Sequence, residues 1–180
     1  METFADYILE EDDFDKKVEI MHYFKKKRDI FFDPSVVFKA AIVKMFVESM
    51  EIDVDSNLVV TAMLLCACKK VQISDDLEKI RSYAKRGAEY LETLGFSKKF
   101  CKICAEHNRY NSGNEDREKE SDILELADQF CGMMWDRPER KGLDLEEAVV
   151  LLEHRNLKDK ENYYLEEFVK FVNVSKEVFV

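Results

Sequence analysis

Apolar residues recur at intervals of three, four and seven along most of this chain, the period of helices that turn one face to a core. In residues 1–33 the series Phe4, Tyr7, Ile8, Phe14, Val18, Met21 and Phe24 predicts an amphipathic helical extension, packed on the main domain or on a partner. Asp33-Pro34-Ser35 supplies a turn and a cap before Val36, Val37, Ala40, Ala41, Val43 and Met45, so a helix is predicted over about residues 35–50. Asp55-Ser56-Asn57 caps a segment from Leu58 to Cys68 whose apolar groups lie on nearly every side, the mark of a central buried helix. One helix or a pair is expected from Asp75 to Leu94, ending at Gly95, with Gly87-Ala88 as a close-packing point inside it. Ser97 opens the next, which carries Phe100, Ile103, Cys104 and His107 at helical spacing.

Residues 111–121 are polar throughout and predict an exposed loop, followed by a helix from about Asp122 to Met134. Asp144 and Glu147 are spaced as a capping box for another helix, and Asn162 to Val172 predicts a last amphipathic one with Leu165, Phe168, Val169 and Phe171. No internal repeat or low-complexity linker interrupts this series.

Composition narrows the fold class. With 180 residues, 46% of them hydrophobic, and only five Gly and two Pro, the chain suits one core and a compact all-α multi-helix bundle. The division expected is residues 1–33 as the extension and 34–180 as the main domain. A net charge of −10 repels phosphate backbones, which disfavours general nucleic-acid binding. The basic run Lys25–Arg28 follows the acidic run Glu10–Asp13 closely enough to predict mutual neutralisation on a solvated face. No apolar leader with a cleavage site and no stretch of the ~20 apolar residues of a spanning helix is present, so a cytoplasmic protein with no membrane partner is expected.

The cysteines, Cys66, Cys68, Cys101, Cys104 and Cys131, are odd in number and embedded in helical patterns, which predicts free buried thiols. Cys101, Cys104 and His107 have the spacing of a metal or redox motif. They fall on one helical stripe with Phe100 and Ile103, so core packing explains them better.

The segment Leu126–Lys141 resembles the last signature of the HD-GYP phosphohydrolases of the HD superfamily. Asp128 stands where that pattern has a metal-ligating Asp, and Asp136, Arg137, Pro138 and Arg140 keep the following Asp-Arg-Pro-x-Arg; the likeness extends through Asp144–Ala148. Three earlier blocks follow in the family's order. Thr61–Lys70 is similar to the block bearing the His-Asp pair, with Cys66 and Ala67 in the two ligand places, Lys69 for a Gly, and Lys70 kept. Tyr83–Leu91 keeps Gly87, Ala88 and Glu89, with Tyr83 for a ligand His. Glu106–Gly113 keeps His107 and Arg109 and lacks the Gly-Tyr-Pro motif, and Pro34 and Ser35 stand where the first ligand His belongs.

The resemblance implies an HD-domain-like helical bundle of the kind found in bacterial signalling. An HD site holds divalent metals that activate water and polarise phosphate. Here only His107 and Asp128 remain of the ligand set, and the methyl group of Ala67 cannot replace a bridging carboxylate. The expectation is a non-enzymatic binding or regulatory module without a cofactor, with another protein or a second copy bound through residues 1–33. Cys66 then fills volume, Glu106 bonds locally, and His107 bonds to Asp128 in the core.

The alternative is a phosphohydrolase acting on cyclic dinucleotides, with iron, manganese or zinc held by Cys66, Glu106, His107 and Asp128. Lys70 and Arg137 would then stabilise developing phosphate charge. In a third expectation a cyclic dinucleotide binds without turnover, its phosphates held by Lys70, Arg137 and Arg140. Otherwise Arg137 pairs with Asp136 or Glu139 on a solvent-facing turn, and Trp135 fills the pocket.

Overall fold

A computed structural model describes residues 1–71, 76–108, 116–157 and 162–179. Among the described residues the architecture is all-α: ten helices and no strand. The starts follow from side chains that accept the free N–H groups of a first turn. Thr3 and Asp6 form a capping box before α1 (Phe4–Glu10), and Asp13 caps α2 (Phe14–Lys27). Asp33 caps α3 (Pro34–Ser49), with Pro34 in the first turn, where its missing N–H costs nothing. Asp55 caps α4 (Ser56–Leu65), Asp76 caps α5 (Leu77–Thr93) and Ser97 caps α6 (Lys98–Ala105). The rest are α7 (Lys119–Met134), α8 (Leu145–Leu157), α9 (Leu165–Val174) and α10 (Lys176–Phe179). The capping box of Asp144 and Glu147 forms as the spacing predicts, with the Glu147 N–H donating to Asp144 Oδ1 at 2.9 Å.

The core centres on α4, where every residue from Val59 to Leu65 is buried. α3 packs against α4 and α7, α4 also meets α6 and α7, and α5 lies on α6. On the far side Phe46 of α3 meets Phe168 and Phe171 of α9 at ring separations of 5.1 and 5.6 Å, and Phe130 of α7 touches Phe168 and Phe179. Residues 1–33 pack on this body. Ala5, Ile8, Met21 and Phe24 belong to the same core, and Phe4 stacks on Phe24 at 4.1 Å.

Two glycines are required by geometry. Gly95, after α5, has φ +97°, which a side chain would resist. A Cβ on Gly142 would lie 2.0 Å from the Met134 carbonyl oxygen, so the return of the chain past the end of α7 needs a residue without one.

Three expectations change. The acidic run Glu10–Asp13 and the basic run Lys25–Arg28 do not neutralise each other, because α2 lies between them. Its 14 residues span about 21 Å, with the acids at its N-terminus and the lysines in its last turn, where each suits the helix dipole. The polar stretch 111–121 is also not simply an exposed loop. Residues 111–115 lie outside the described residues, but α7 already begins at Lys119, and Glu120 and Ser121 are buried. Polarity misleads here because the charges are satisfied internally. The Arg117 side chain is buried, donating to both Asp122 (2.8 Å) and Glu125 and to the Glu106 carbonyl, while Glu120 pairs with Lys99 at 2.8 Å. The last long helix also starts later than the apolar spacing predicts. Asn162 accepts from the Tyr164 N–H and donates to the Asp122 carbonyl, both at 3.0 Å, so it forms a turn that anchors the segment to α7 before α9 begins.

Lys17 is the largest departure from apolar packing. Its side chain is 1% exposed, and its ammonium donates to the Ile8 carbonyl at 2.5 Å and to Thr61 Oγ1 at 2.7 Å, fastening the end of α1 to α4.

Two measurements of stability follow from these buried charges. Arg117→Ala leaves Asp122 and Glu125 without their shared cation and should cost about 3–5 kcal/mol in urea unfolding. For Lys17, burial lowers the pKa from 10.5 to about 8 against the opposing pull of Asp12, Glu11 and Asp55. The folded state therefore binds this proton less tightly than the unfolded chain. Stability should rise between about pH 8 and pH 10.5, by on the order of 3 kcal/mol, and that rise should be absent in Lys17→Met.

Candidate functional site

Asp128 projects from the middle of α7 into a recess of about 270 Å³ whose walls include His107, Gln129, Arg137, Arg140 and Arg155. Its nearest partner is Lys39 of α3, whose Nζ lies 2.6 Å from Asp128 Oδ1. Lys39 is mostly buried, at 13% side-chain exposure, and Asp128 is about one-third exposed at 32%. Burial by itself would raise the carboxyl's pKa. The Lys39 ammonium outweighs that, with His107 and Lys70 adding to it, and holds Asp128 below the usual carboxylate range. Burial likewise opposes the charge on Lys39, and Asp128 overcomes it, so the Lys39 pKa is raised. Each charge keeps the other ionised.

His107 follows the end of α6 and is fully buried, as the apolar stripe predicts. Its Nδ1 lies 2.6 Å from the Cys104 carbonyl oxygen, which can only accept, so Nδ1 carries the proton. Nε2 is then the acceptor for the hydroxyl of Tyr83 at 3.0 Å. Burial lowers the pKa of His107, with Asp128 partly opposing, and so favours the neutral ring. The expected His107–Asp128 hydrogen bond is replaced by two separate pairs, Tyr83 with His107 and Lys39 with Asp128.

Cys66 caps the C-terminal end of α4, buried, with its Sγ 3.6 Å from the Met63 carbonyl. Burial, with Asp128 nearby, pushes its thiol well above the ordinary value. It fills space as a neutral group. Glu106 turns away: its Oε2 accepts from the Glu118 N–H at 2.9 Å and from Ser121 Oγ at 3.3 Å. Among the described residues, no three His, Cys, Asp or Glu side chains gather as a group that could hold a metal ion. Arg109, the other kept residue of that block, lies outside the described residues.

The basic positions divide by role. Arg140 donates to the carbonyls of Gly132 (2.7 Å), Met133 (3.3 Å) and Lys141 (3.1 Å), covering acceptors at the open end of α7. Its neighbour Arg137 exchanges backbone hydrogen bonds with Arg140 across a tight turn, 2.8 Å and 3.1 Å. Among the described residues the Arg137 guanidinium pairs with no acid; Asp136 instead accepts from the Gly142 N–H at 2.7 Å. Lys70, exposed beside the recess, lies 5.5 Å from the Phe31 ring centre. Burial, with Lys39 and Arg137 nearby, lowers its pKa. Trp135 does not line the recess: it stacks on Phe38 at 5.5 Å and is 38% exposed.

Lys39 and Arg155 are site residues that sequence patterning did not single out. Lys39 did leave a trace. It lies in the most apolar stretch of α3, and the residues three and four positions away on either side, Ser35, Val36, Ile42 and Val43, are uncharged. A lysine so placed must find its counter-charge on another element. Arg155 left no comparable mark among the mixed residues of α8.

Comparison with protein-family models, curated proteins and solved structures found no match.

Lys39→Met strands Asp128 and should lower stability by about 1–2 kcal/mol, a figure discounted for the partial exposure of the carboxylate. The double variant Lys39→Met, Asp128→Leu should recover most of the loss in a double-mutant cycle. Since Asp128 titrates lower in the folded protein, its contribution is full above the ordinary carboxyl value of 3.8 and fades as pH falls through the folded one. The gap between wild type and Lys39→Met should therefore close in acid, as followed by circular dichroism in urea.

Proposed function

We propose that this chain is a catalytically degenerate HD-GYP-like domain acting as a non-enzymatic binding or regulatory module. The observation that carries this proposal is the 2.6 Å contact between Lys39 and Asp128. A metal-ligating carboxylate needs its lone pairs directed at a cation, and here the Lys39 ammonium already neutralises it. The other donors do not suit a divalent metal either. Ala67 offers nothing, the Nε2 lone pair of His107 accepts from Tyr83, burial keeps the proton on Cys66, and Glu106 is bonded elsewhere. A catalytic metal requires three or four converging donors.

The proposed module is cytoplasmic and belongs to bacterial signalling. Among the described residues no helix is long and apolar enough to cross a membrane. Its partner is another protein or a second copy, approached through the outer face of residues 1–33, where Tyr7 and Tyr23 are 60% and 65% exposed. The inner face of that segment already packs on the core.

The test is metal analysis of protein purified without chelator, together with assays of cyclic dinucleotide and generic phosphodiester hydrolysis. No stoichiometric iron, manganese or zinc and no turnover are expected. A bound metal that is lost in Asp128→Ala, or turnover abolished by the same change, overturns the proposal in favour of a remodelled phosphohydrolase.

A further inference from the structure

A second concavity lies away from the Asp128 recess, between the segment joining α2 to α3 and the turn after α4. It is a cleft of about 660 Å³, within the range that takes a small-molecule ligand. Among the described residues four cations line it, Lys25 from the end of α2, Lys69 and Lys70 from the turn, and Arg86 from α5, and the one acid beside them is Asp29. In a chain of net charge −10 this is a local reversal of sign.

The cations are held in place by neutral acceptors, which leave their charge uncompensated. Lys25 Nζ donates to the Phe32 carbonyl at 2.6 Å, and Lys69 Nζ donates to the backbone carbonyl of Asp29 at 2.9 Å. Lys69 also lies 4.1 Å from the centre of the Tyr90 ring, which fixes its direction. Arg86 is braced by Ser82 Oγ at 3.2 Å and the Lys79 carbonyl at 2.9 Å, through Nε and Nη2. An ammonium has three donors and a guanidinium five, so each braced group keeps N–H bonds to spare. Lys70 carries its charge toward the ring of Phe31. Among the described residues none of the four forms an ion pair with a carboxylate.

We propose that this cleft binds a small molecule bearing two or more linked phosphates, its oxygens held by Lys25, Lys69, Lys70 and Arg86. Several preoriented cations around one concavity match a compact polyanion better than a monocarboxylate, since each added charge meets another donor. A long polyanion is disfavoured, because the acidic surface beyond the cleft would repel it. None of the four residues lines the Asp128 recess. The site therefore stands whether or not that recess ever held metal.

Titration calorimetry of the full chain with pyrophosphate at low ionic strength tests this. Saturable one-to-one binding is expected, weakened by added salt. Lys25→Gln with Lys69→Gln should weaken it by about tenfold or more, the effect of losing charge-assisted hydrogen bonds. The control Lys85→Gln, which removes an exposed lysine elsewhere on α5, should leave it unchanged. Circular dichroism melts establish that each variant is folded, and Arg86→Gln provides an independent loss of charge in the cleft should the double variant fail to fold. No saturable binding at millimolar pyrophosphate overturns the proposal. So does binding that ignores the cleft variants and is lost in Arg137→Gln, which would put the anion in the Asp128 recess. Neither result bears on metal content or turnover, so failure here and failure of the degenerate-domain proposal are distinguishable.

Discussion

The contact between Lys39 and Asp128 sets the electrostatic character of its whole neighbourhood. It joins α3 to α7, two of the helices around the core, and pairs a mostly buried lysine with a carboxylate that is about one-third exposed. The groups behind the pair stay neutral for the same reason. Cys66 and Cys131 are buried and feel the negative charge of Asp128, so losing a proton is doubly unfavourable; Cys131 is pushed up to about 12. Tyr83 likewise keeps its proton under burial, which lets it donate to His107. Around this ion pair stand thiols, a phenol and a neutral imidazole. The cations not paired there, Lys70 and Arg137, lie at the exposed rim.

Charge is sorted elsewhere in the molecule by the same rule that a buried ion must have its partner within reach. Arg117 does this for two carboxylates of α7, and through Asp122 the network extends to the Tyr163 N–H, at 2.8 Å, just before α9. Lys17 has no such partner in contact and bonds to a carbonyl and a hydroxyl instead, which is why its ammonium is the one that burial weakens most visibly. The cations of the basic cleft are likewise braced by carbonyls. There the charge faces solvent, so it can persist without an acid.

Helix positions were legible because they depend on neighbours in sequence. Asp33-Pro34, Asp55, Ser97 and the Asp144–Glu147 pair cap helices where their side chains reach N–H groups two or three residues on. The errors fell where a distant partner changed the meaning of a local signal. Glu120 and Ser121 read as loop and are buried helix, since Lys99 and the Ile103 carbonyl, both on α6, wait for them. Lys25–Arg28 read as neutralised and is separated from its acids by the full length of α2. Of the site, the burial of His107 and Cys66 was legible from apolar spacing, while the bonding partners of His107, Cys66 and Asp128 were not.

The sequence by itself determined an all-α chain, the order and caps of its helices and the free buried thiols, since each depends on residue type or on neighbours a few positions away. Only the tertiary structure decided that Lys39 meets Asp128 across 89 positions, that Tyr83 takes the lone pair of His107, and that lysines from α2 and the turn after α4 share one cleft with Arg86. The physical reason is range. Capping and periodicity act within a turn of helix, whereas a buried charge is satisfied by whichever group the packing of the core brings to within about 3 Å of it.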